Sequence, residues 1–136
     1  SGLNGNNGPR KKGLNENFDL HKNNFIMNNT IKFINENYDK DLSLKLIASN
    51  SFCNHTYLSY LFKEKMNICV TDYINKIRIE KSKELLDITS WSITEISSSV
   101  GFNDSGYFTR VFRNIEDITP KDYREKKPKI ILVLSK

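Results

Sequence analysis

The sequence repeats one pattern of residues within its 136 positions. The segment FCNHTYLSYLFKEKMNICVTDYINK, from Phe52, is echoed by SVGFNDSGYFTRVFRNIEDITPKDYR, from Ser99. The offset between the copies is 49 before a turn and 50 after it, so one residue is added near Asn103-Asp104. An internal repeat of this period indicates two copies of one supersecondary unit. The matched pairs are Ser43/Ser92, Leu44/Ile93, Ile47/Ile96, Ala48/Ser97, Tyr57/Tyr107, Leu58/Phe108, Phe62/Phe112, Ile68/Ile118 and Asp72-Tyr73/Asp122-Tyr123.

Apolar residues recur at the helical period through most of the chain. Ile26, Met27, Ile31 and Ile34 share one face of a first helix that we expect to end near Asn37. No hairpin signal occurs before Lys129, so the fold class is predicted as all-α, with about seven helices. The aromatic residues of the repeated stripes are predicted to lie in the core: Tyr57, Tyr107, Phe108, Phe112 and Tyr123.

Residues that favour helix N-termini mark where the helices begin. Ser43, Asn54, Thr71, Ser92 and Asp104 are predicted N-caps, and Thr119-Pro120 opens a last helix. The chain then divides into a first helix-turn-helix at 43–67, a linker helix at 71–87, a second helix-turn-helix at 92–116 and a last helix at 120–126.

The two ends of the sequence differ from this central region of residues 24–126. Residues 1–23 are rich in Asn, Gly and Lys and are predicted to be a disordered leader, with Ser1-Gly2 indicating the remnant of a tag. Residues 127–136 form a tail whose KIILVLS segment is read as the start of a further segment.

Charge alone does not identify the partner. The net charge is +5, but residues 1–23 hold four basic and two acidic side chains, and residues 127–136 hold three lysines and no acidic residue. Residues 24–126 therefore carry no net charge, and a case for an acidic partner must rest on where the charges lie. No run of about 18 apolar residues occurs, so we expect no membrane contact.

The two copies differ at the positions opposite their apolar stripes. His55, Thr56, Ser59, Tyr60 and Lys63 in the first copy correspond to Ser105, Gly106, Thr109, Arg110 and Arg113 in the second. A short helix, a tight turn and a second helix form the helix-turn-helix pattern, in which the second helix enters a DNA major groove. A protein that recognises two different DNA half-sites needs one scaffold with two different polar faces.

The chain resembles the DNA-binding domain of the AraC/XylS family of bacterial transcription regulators. SITEISSSVGFNDSGYFTRVFRNIEDITPKDYR is similar to the family signature S-I-x-E-I-A-x-x-V-G-F-x-D-x-x-Y-F-x-R-x-F-[KR]…T-P-x-x-Y-R, and DYINKIRIEKSKELL resembles the family's linker helix. The resemblance covers about residues 24–126 and implies two helix-turn-helix subdomains joined by a long helix. Their recognition helices would enter successive major grooves about 34 Å apart.

The resemblance also implies partners and a cellular setting. Double-stranded DNA is the expected partner, and RNA polymerase is expected to be contacted by an activator of this kind. The expected location is cytoplasmic and nucleoid-associated. An effector-binding or dimerisation domain would lie outside this chain, and no cofactor is expected.

Matching the family's motif residue by residue gives a candidate DNA site. Arg110 is the strongest candidate because arginine grips guanine through two hydrogen bonds. The basic residues next to the recognition faces suit phosphates, although Arg78 and Arg124 are equally suited to bracing the fold. The predicted base-facing residues are His55, Thr56, Ser59, Tyr60, Ser105, Gly106, Thr109 and Arg110, and the predicted phosphate contacts are Lys63, Lys65, Arg113, Arg78 and Arg124.

The sequence departs from the family pattern at several structural positions. Phe52 stands where a glycine is common in the first turn, and Ser82 and Ser97 replace alanines, each adding a hydroxyl that needs a partner if it is buried. Asn67 and Asp117 replace glycines that end the recognition helices, and both residue types tolerate the left-handed conformation.

Two other functions compete with DNA binding. The first is a protein-interaction module built on a degenerate helix-turn-helix pair. The second is catalysis by Cys53 and His55, which the absence of an acid–base pair disfavours, so we expect no enzyme. Cys53 and Cys69 are read as reduced core residues, and a metal site of these two cysteines with His55 lacks a fourth ligand.

Overall fold

The computed structural model describes the backbone of residues 2–126 and the side chains of residues 16–126. These residues contain seven α-helices and no strand, as predicted. The helices are α1 (Gly2–Asn37), α2 (Leu44–Asn50), α3 (His55–Met66), α4 (Val70–Ile88), α5 (Ile93–Ser99), α6 (Ser105–Glu116) and α7 (Pro120–Lys126). The predicted tail at 127–136 and the Ser1 end of the tag remnant lie outside the described residues.

The chain forms two compact units. Unit 1 contains the residues up to Ile34 together with Ser43–Ile68, and unit 2 contains Asn35–Leu42 together with the residues from Cys69 onward. Each unit holds one helix-turn-helix, α2–α3 in unit 1 and α5–α6 in unit 2.

Side chains cap most of the helices where the sequence predicts caps. Ser43 Oγ accepts a hydrogen bond from the Leu46 N–H at 3.0 Å, and Asn54 Oδ1 accepts one from the Tyr57 N–H at 2.8 Å. Ser92 and Glu95 form a reciprocal capping box. These bonds satisfy backbone donors that the first helical turn leaves unpaired.

The prediction of Thr71 as the cap of α4 is wrong. The N-cap is Cys69, which makes no side-chain capping bond, and Thr71 lies inside the first turn. Cys69 corresponds to Thr119 in the repeat, and Thr119 Oγ1 does accept a hydrogen bond from the Asp122 N–H at 3.1 Å. The helix start is therefore conserved between the copies, while the capping side chain is present only in the second.

The recognition helices α3 and α6 both end on a left-handed residue. Asn67 has φ +63° and Asp117 has φ +68°, and their N–H groups donate to the carbonyls of Lys63 and Arg113. The prediction that Asn and Asp replace glycine in this conformation is confirmed.

The buried side chains of each unit follow the apolar stripes of its helices. In unit 1 the buried apolar side chains are Ile26, Met27, Ile34, Ile47, Ala48, Leu58, Leu61 and Phe62. Unit 2 is richer in aromatic residues, with Phe108 and Phe112 ring centroids 5.8 Å apart and Phe112 and Tyr123 centroids 5.6 Å apart. Its core is Ile79, Leu86, Ile96, Val100, Phe102, Phe108, Val111, Phe112 and Tyr123.

Three sequence-based expectations differ from the structure. The stretch predicted as a disordered leader is helical from Gly2 onward, continuous with the packed part of α1. Extending an existing helix adds one hydrogen bond for each residue and avoids the cost of nucleating a new helix. Tyr57 is half-buried and Tyr107 is exposed, so neither is a fully buried core residue. Cys69 is exposed and Cys53 is half-buried, and both are free thiols.

None of the described helices is long and apolar enough to cross a membrane.

Candidate nucleic-acid interface

The exposed face of α3 carries the predicted base-facing residues of unit 1. His55, Thr56, Ser59 and Tyr60 are all exposed, while the opposite face of the helix is buried. Thr56, Ser59 or Tyr60, and Lys63 recur three to four residues apart, so they form one stripe along the helix. Short hydroxyl side chains on such a stripe can donate to or accept from many base edges.

Tyr60 carries a hydrogen-bonded partner on its own helix. A hydrogen bond to the Glu64 carboxylate, reinforced by the negative charge of that group, raises the pKa of Tyr60. When the phenol directs its O–H to Glu64, the lone pairs of its oxygen remain available to a donor outside the protein. Sequence reasoning missed this role of Glu64, which its i,i+4 spacing from Tyr60 signals.

Two lysines extend the α3 surface beyond the stripe. Lys63 and Lys65 are exposed near the helix C-terminus, where cations interact favourably with the helix dipole. The Lys63 Nζ atom lies 3.4 Å from the Asn67 carbonyl oxygen. Both ammonium groups can reach an approaching phosphate without breaking an ion pair, since both ion pairs among residues 16–126 belong to Lys83.

The exposed face of α6 matches that of α3 in position and differs in chemistry. Gly106 is exposed, Ser105 and Thr109 are half-buried, and the Thr109 hydroxyl donates to the Ser105 carbonyl at 3.0 Å. The Gly106 N–H donates to Asp104 Oδ1 at 2.7 Å. Polar atoms near the start of α6 are therefore largely used within the helix, which leaves the arginines that follow as its free donors.

Arg110 projects from α6 without an acidic partner. Its guanidinium lies 5.7 Å from the centroid of the Tyr107 ring, within the range of a cation–π contact. Among residues 16–126, no ion pair joins Arg110 to Asp104, whose carboxylate caps α6, or to Glu116, whose carboxylate pairs with Lys83 at 3.2 Å. Arg113, one turn further along, is also exposed.

The guanidinium groups of Arg78 and Arg124 donate hydrogen bonds to backbone carbonyls. Arg78 donates to the carbonyls of Tyr38 at 2.6 Å and Lys40 at 2.9 Å, and burial lowers the pKa of this arginine. Arg124 donates to the carbonyls of Leu86, Thr89 and Trp91 at 3.2, 3.2 and 2.7 Å. These contacts close the ends of α1 and α4 and favour the bracing alternative over the predicted phosphate contact.

Cys53 and His55 are the residues on which the catalytic and metal-binding alternatives depend. Burial raises the pKa of Cys53, which makes its thiol less nucleophilic at neutral pH. Within residues 16–126, no group of three or more His, Cys, Asp or Glu side chains is placed to hold a metal ion.

Comparisons with known proteins agree with the helix-turn-helix fold. A family model described as a helix-turn-helix domain matches residues 47–126, more than half of the chain. The regulatory protein PocR of Salmonella typhimurium is 33% identical over 100 residues, covering 74% of this chain and 33% of PocR. The chain thus spans about a third of PocR's length.

Solved structures share the fold. The C-terminal domain of the two-component response regulator yesN from Fusobacterium nucleatum is 35% identical, with a TM-score of 0.67 over 70% of this chain and 93% of that one. An AraC-type transcriptional regulator from Chromobacterium violaceum is 26% identical, with a TM-score of 0.69 over 75% and 91%. The DNA-binding domain of AdpA, solved in complex with a target DNA, shares the fold at 15% identity, with a TM-score of 0.70 over 74% and 90%.

Proposed function

Because the chain belongs to the AraC/XylS family of DNA-binding transcription regulators, we propose that it reads a specific sequence of double-stranded DNA through α3 and α6. Each helix would enter a major groove, and the two grooves would be successive turns of one duplex. The observation that supports this most strongly is the pair of matched stripes on helices whose other faces are buried: Thr56, Ser59 and Tyr60, all exposed, on α3, and Gly106 and Arg110, exposed, with the half-buried Thr109 on α6.

The two helices would recognise bases with different side-chain chemistry. On α3, His55, Thr56, Ser59 and Tyr60 offer neutral donors and acceptors with methyl and ring surfaces, which suit thymine methyl groups and mixed base edges. On α6, Ser105, Gly106 and Thr109 leave little side chain beyond the helix, so Arg110 would supply most of the base recognition.

Phosphate contacts position the two helices. Lys63, Lys65 and Arg113 are exposed cations close to the stripes, and their contacts would be independent of sequence. Arg78 and Arg124 would act indirectly, by holding the helix ends that set the position of α6. Because residues 24–126 carry no net charge, specific contacts rather than bulk attraction would dominate binding.

The wider role follows the family. The chain would act in the cytoplasm at the nucleoid as part of a transcription activator that contacts RNA polymerase, with an effector-binding or dimerisation domain outside this sequence. The supporting observation is the share of PocR that this chain covers, about one third of a regulatory protein.

The competing function is a protein-interaction module that keeps the fold without DNA binding. The zero net charge of residues 24–126 is the observation that favours it. Such a module would show no sequence preference among duplexes and no sensitivity to charge on the exposed stripe of α6.

Charge reversal on α6 separates the two functions. Arg110→Glu removes the predicted guanine contact, worth roughly 1–3 kcal/mol, and adds repulsion from phosphates, so affinity for a selected duplex should fall about 100-fold or more. Lys76→Glu makes the same change of charge at an exposed position of α4 outside both stripes and should cost no more than about fivefold. Fluorescence anisotropy measures both, with circular dichroism melts confirming the fold; equal affinities for the two variants would contradict the site assignment.

A further inference from the structure

The two units share a three-residue arrangement beside the recognition stripes. Tyr57 and Tyr107 occupy equivalent positions at the start of α3 and α6, and each hydroxyl is joined to an asparagine of a preceding helix. The Tyr57 hydroxyl donates to Asn23 Oδ1 on α1 at 2.6 Å, and the Asn75 Nδ2 on α4 donates to the Tyr107 hydroxyl at 3.1 Å. Different donors and acceptors thus produce the same connection twice, once in each unit.

Each tyrosine ring also contacts a predicted base-facing residue three positions later. The Tyr57 and Tyr60 ring centroids are 6.5 Å apart, and the Arg110 guanidinium lies 5.7 Å from the Tyr107 centroid. Residues at i and i+3 are neighbours on a helix surface, so each ring lies beside the side chain that would read a base.

Two contacts in unit 2 fix the position of the Tyr107 ring. Tyr107 is 39% exposed, so water could have satisfied its hydroxyl, whereas Asn75 is only 7% exposed and needs the partner for its buried amide. The ring is fixed on a second side by an edge contact with Phe102, at 5.8 Å between centroids. Asn75 and Phe102 therefore hold the Tyr107 ring in one place.

We propose that Tyr57 and Tyr107 are positioning residues that fix the side chains of Tyr60 and Arg110 for base reading. A free arginine side chain loses considerable rotamer entropy when it binds, and a ring that already holds the guanidinium reduces that loss. This inference rests on the proposed DNA-reading function and identifies how its specificity is produced.

The effect is larger in unit 2. There the cation on the ring is Arg110, the reading residue itself. In unit 1 the cation over the Tyr57 ring is Lys22 of α1, at 5.7 Å, and the reading residue Tyr60 contacts Tyr57 through a tilted ring pair at 6.5 Å. Loss of the ring at 107 therefore weakens DNA reading more than loss of the ring at 57.

A double-mutant cycle with Arg110 tests the inference. The probe is a duplex recovered by selection on the wild-type chain, and affinities are measured for Tyr107→Leu, Arg110→Ala and the double variant. Tyr107→Leu should weaken binding about fivefold in the wild-type background, as expected for a lost cation–π contact, and less than about 1.5-fold in the Arg110→Ala background. An equal loss in both backgrounds would show that Tyr107 has only a structural role and would overturn the inference.

Two further variants control for the possibility that Tyr107→Leu acts by disturbing the fold. Tyr107→Phe keeps the ring and removes only the bond to Asn75, and should lower discrimination at the base that Arg110 contacts by about twofold. Trp91→Leu removes an exposed aromatic ring of unit 2 outside the recognition helix and should leave the cycle with Arg110 additive. Coupling of Trp91 to Arg110 as strong as that of Tyr107 would also overturn the inference.

A measurement without DNA separates this inference from the proposed function. The Arg110 Nε–Hε resonance in NMR spectra should move when Tyr107→Leu removes the ring current beside it. An unmoved resonance would overturn the positioning contact. If the wild-type chain selects no duplex but the resonance moves, the proposed function fails while the contact between the two side chains stands.

Discussion

The turns of the two helix-turn-helix motifs meet the same backbone requirement with different residues. Phe52 in unit 1 has φ +61° and Gly101 in unit 2 has φ +106°, and the two positions are equivalent in the repeat. A Cβ at Gly101 would lie 2.5 Å from the Tyr38 carbonyl oxygen and 2.9 Å from Arg78 Nε, whereas the Phe52 side chain is 77% exposed and stacks on Phe25. Both turns need a positive φ, but only the second also needs the missing side chain.

In the helices before the turns, α2 and α5, it is unit 2 that carries the less favourable residue. Ala48 and Ser97 are equivalent, and each is 1% exposed. The Ser97 hydroxyl finds no hydrogen-bond partner among the described residues, while the Ser82 hydroxyl donates to the Ile79 carbonyl at 2.7 Å. The unfavourable feature of unit 1 is therefore the left-handed Phe52 in its turn, and that of unit 2 is the buried hydroxyl of Ser97 in its core.

The largest effect is expected at Gly101. Gly101→Ala places a Cβ against a backbone oxygen and the guanidinium of Arg78 at a φ that side chains rarely adopt. We expect the free energy of unfolding to fall by about 3 kcal/mol, measured by urea denaturation. A loss below about 1 kcal/mol would show that the two turns do not differ as described.

A smaller effect is expected at Ser97. Ser97→Ala removes a buried hydroxyl that has no partner and copies the residue of unit 1, so the free energy of unfolding should rise by about 1 kcal/mol. Ser82→Ala is the matched control: its hydroxyl is bonded to a carbonyl, and the change should have an effect near zero or slightly destabilising. If both variants respond alike, the Ser97 hydroxyl has a partner in solution.

The smallest effect is expected at Phe52. Phe52→Gly relieves a left-handed conformation that costs a side chain about 1–2 kcal/mol, and loses the stack on Phe25 and some entropy of the unfolded chain. We expect a net gain of about 0.5 kcal/mol in thermal unfolding. Phe25→Ala in both backgrounds separates the stack from the backbone, and a net loss in Phe52→Gly would show that the stack outweighs the strain.

The fold follows from local signals in the sequence that depend on few neighbours. Ser43, Asn54, Ser92 and Asp104 cap helices where their residue types predict. The cap of α4 was mispredicted because Thr71 has a favoured residue type, yet the repeat, which aligns Cys69 with Thr119, carries the correct position. Alignment of the copies is here a better guide than residue propensity.

The positioning contacts were not predictable from the sequence. Helical periodicity places Tyr57 and Tyr107 at the edge of an apolar stripe and cannot tell a buried ring from a half-exposed ring with a bonded hydroxyl. Asn23 and Asn75 belong to helices distant in sequence, and only the tertiary structure brings them to the tyrosines. The bracing role of Arg124 likewise depends on three carbonyls around the end of α4.

The central claim is that the exposed faces of α3 and α6, which carry different side chains, read two blocks of DNA. Selection of the chain against random-sequence duplexes at physiological salt, with single strands as the control, tests it most directly. We expect an asymmetric motif in two blocks about one helical turn apart, with a guanine in one block that loses enrichment in Arg110→Ala. Retention without sequence enrichment, or equal retention of single strands, would contradict the claim.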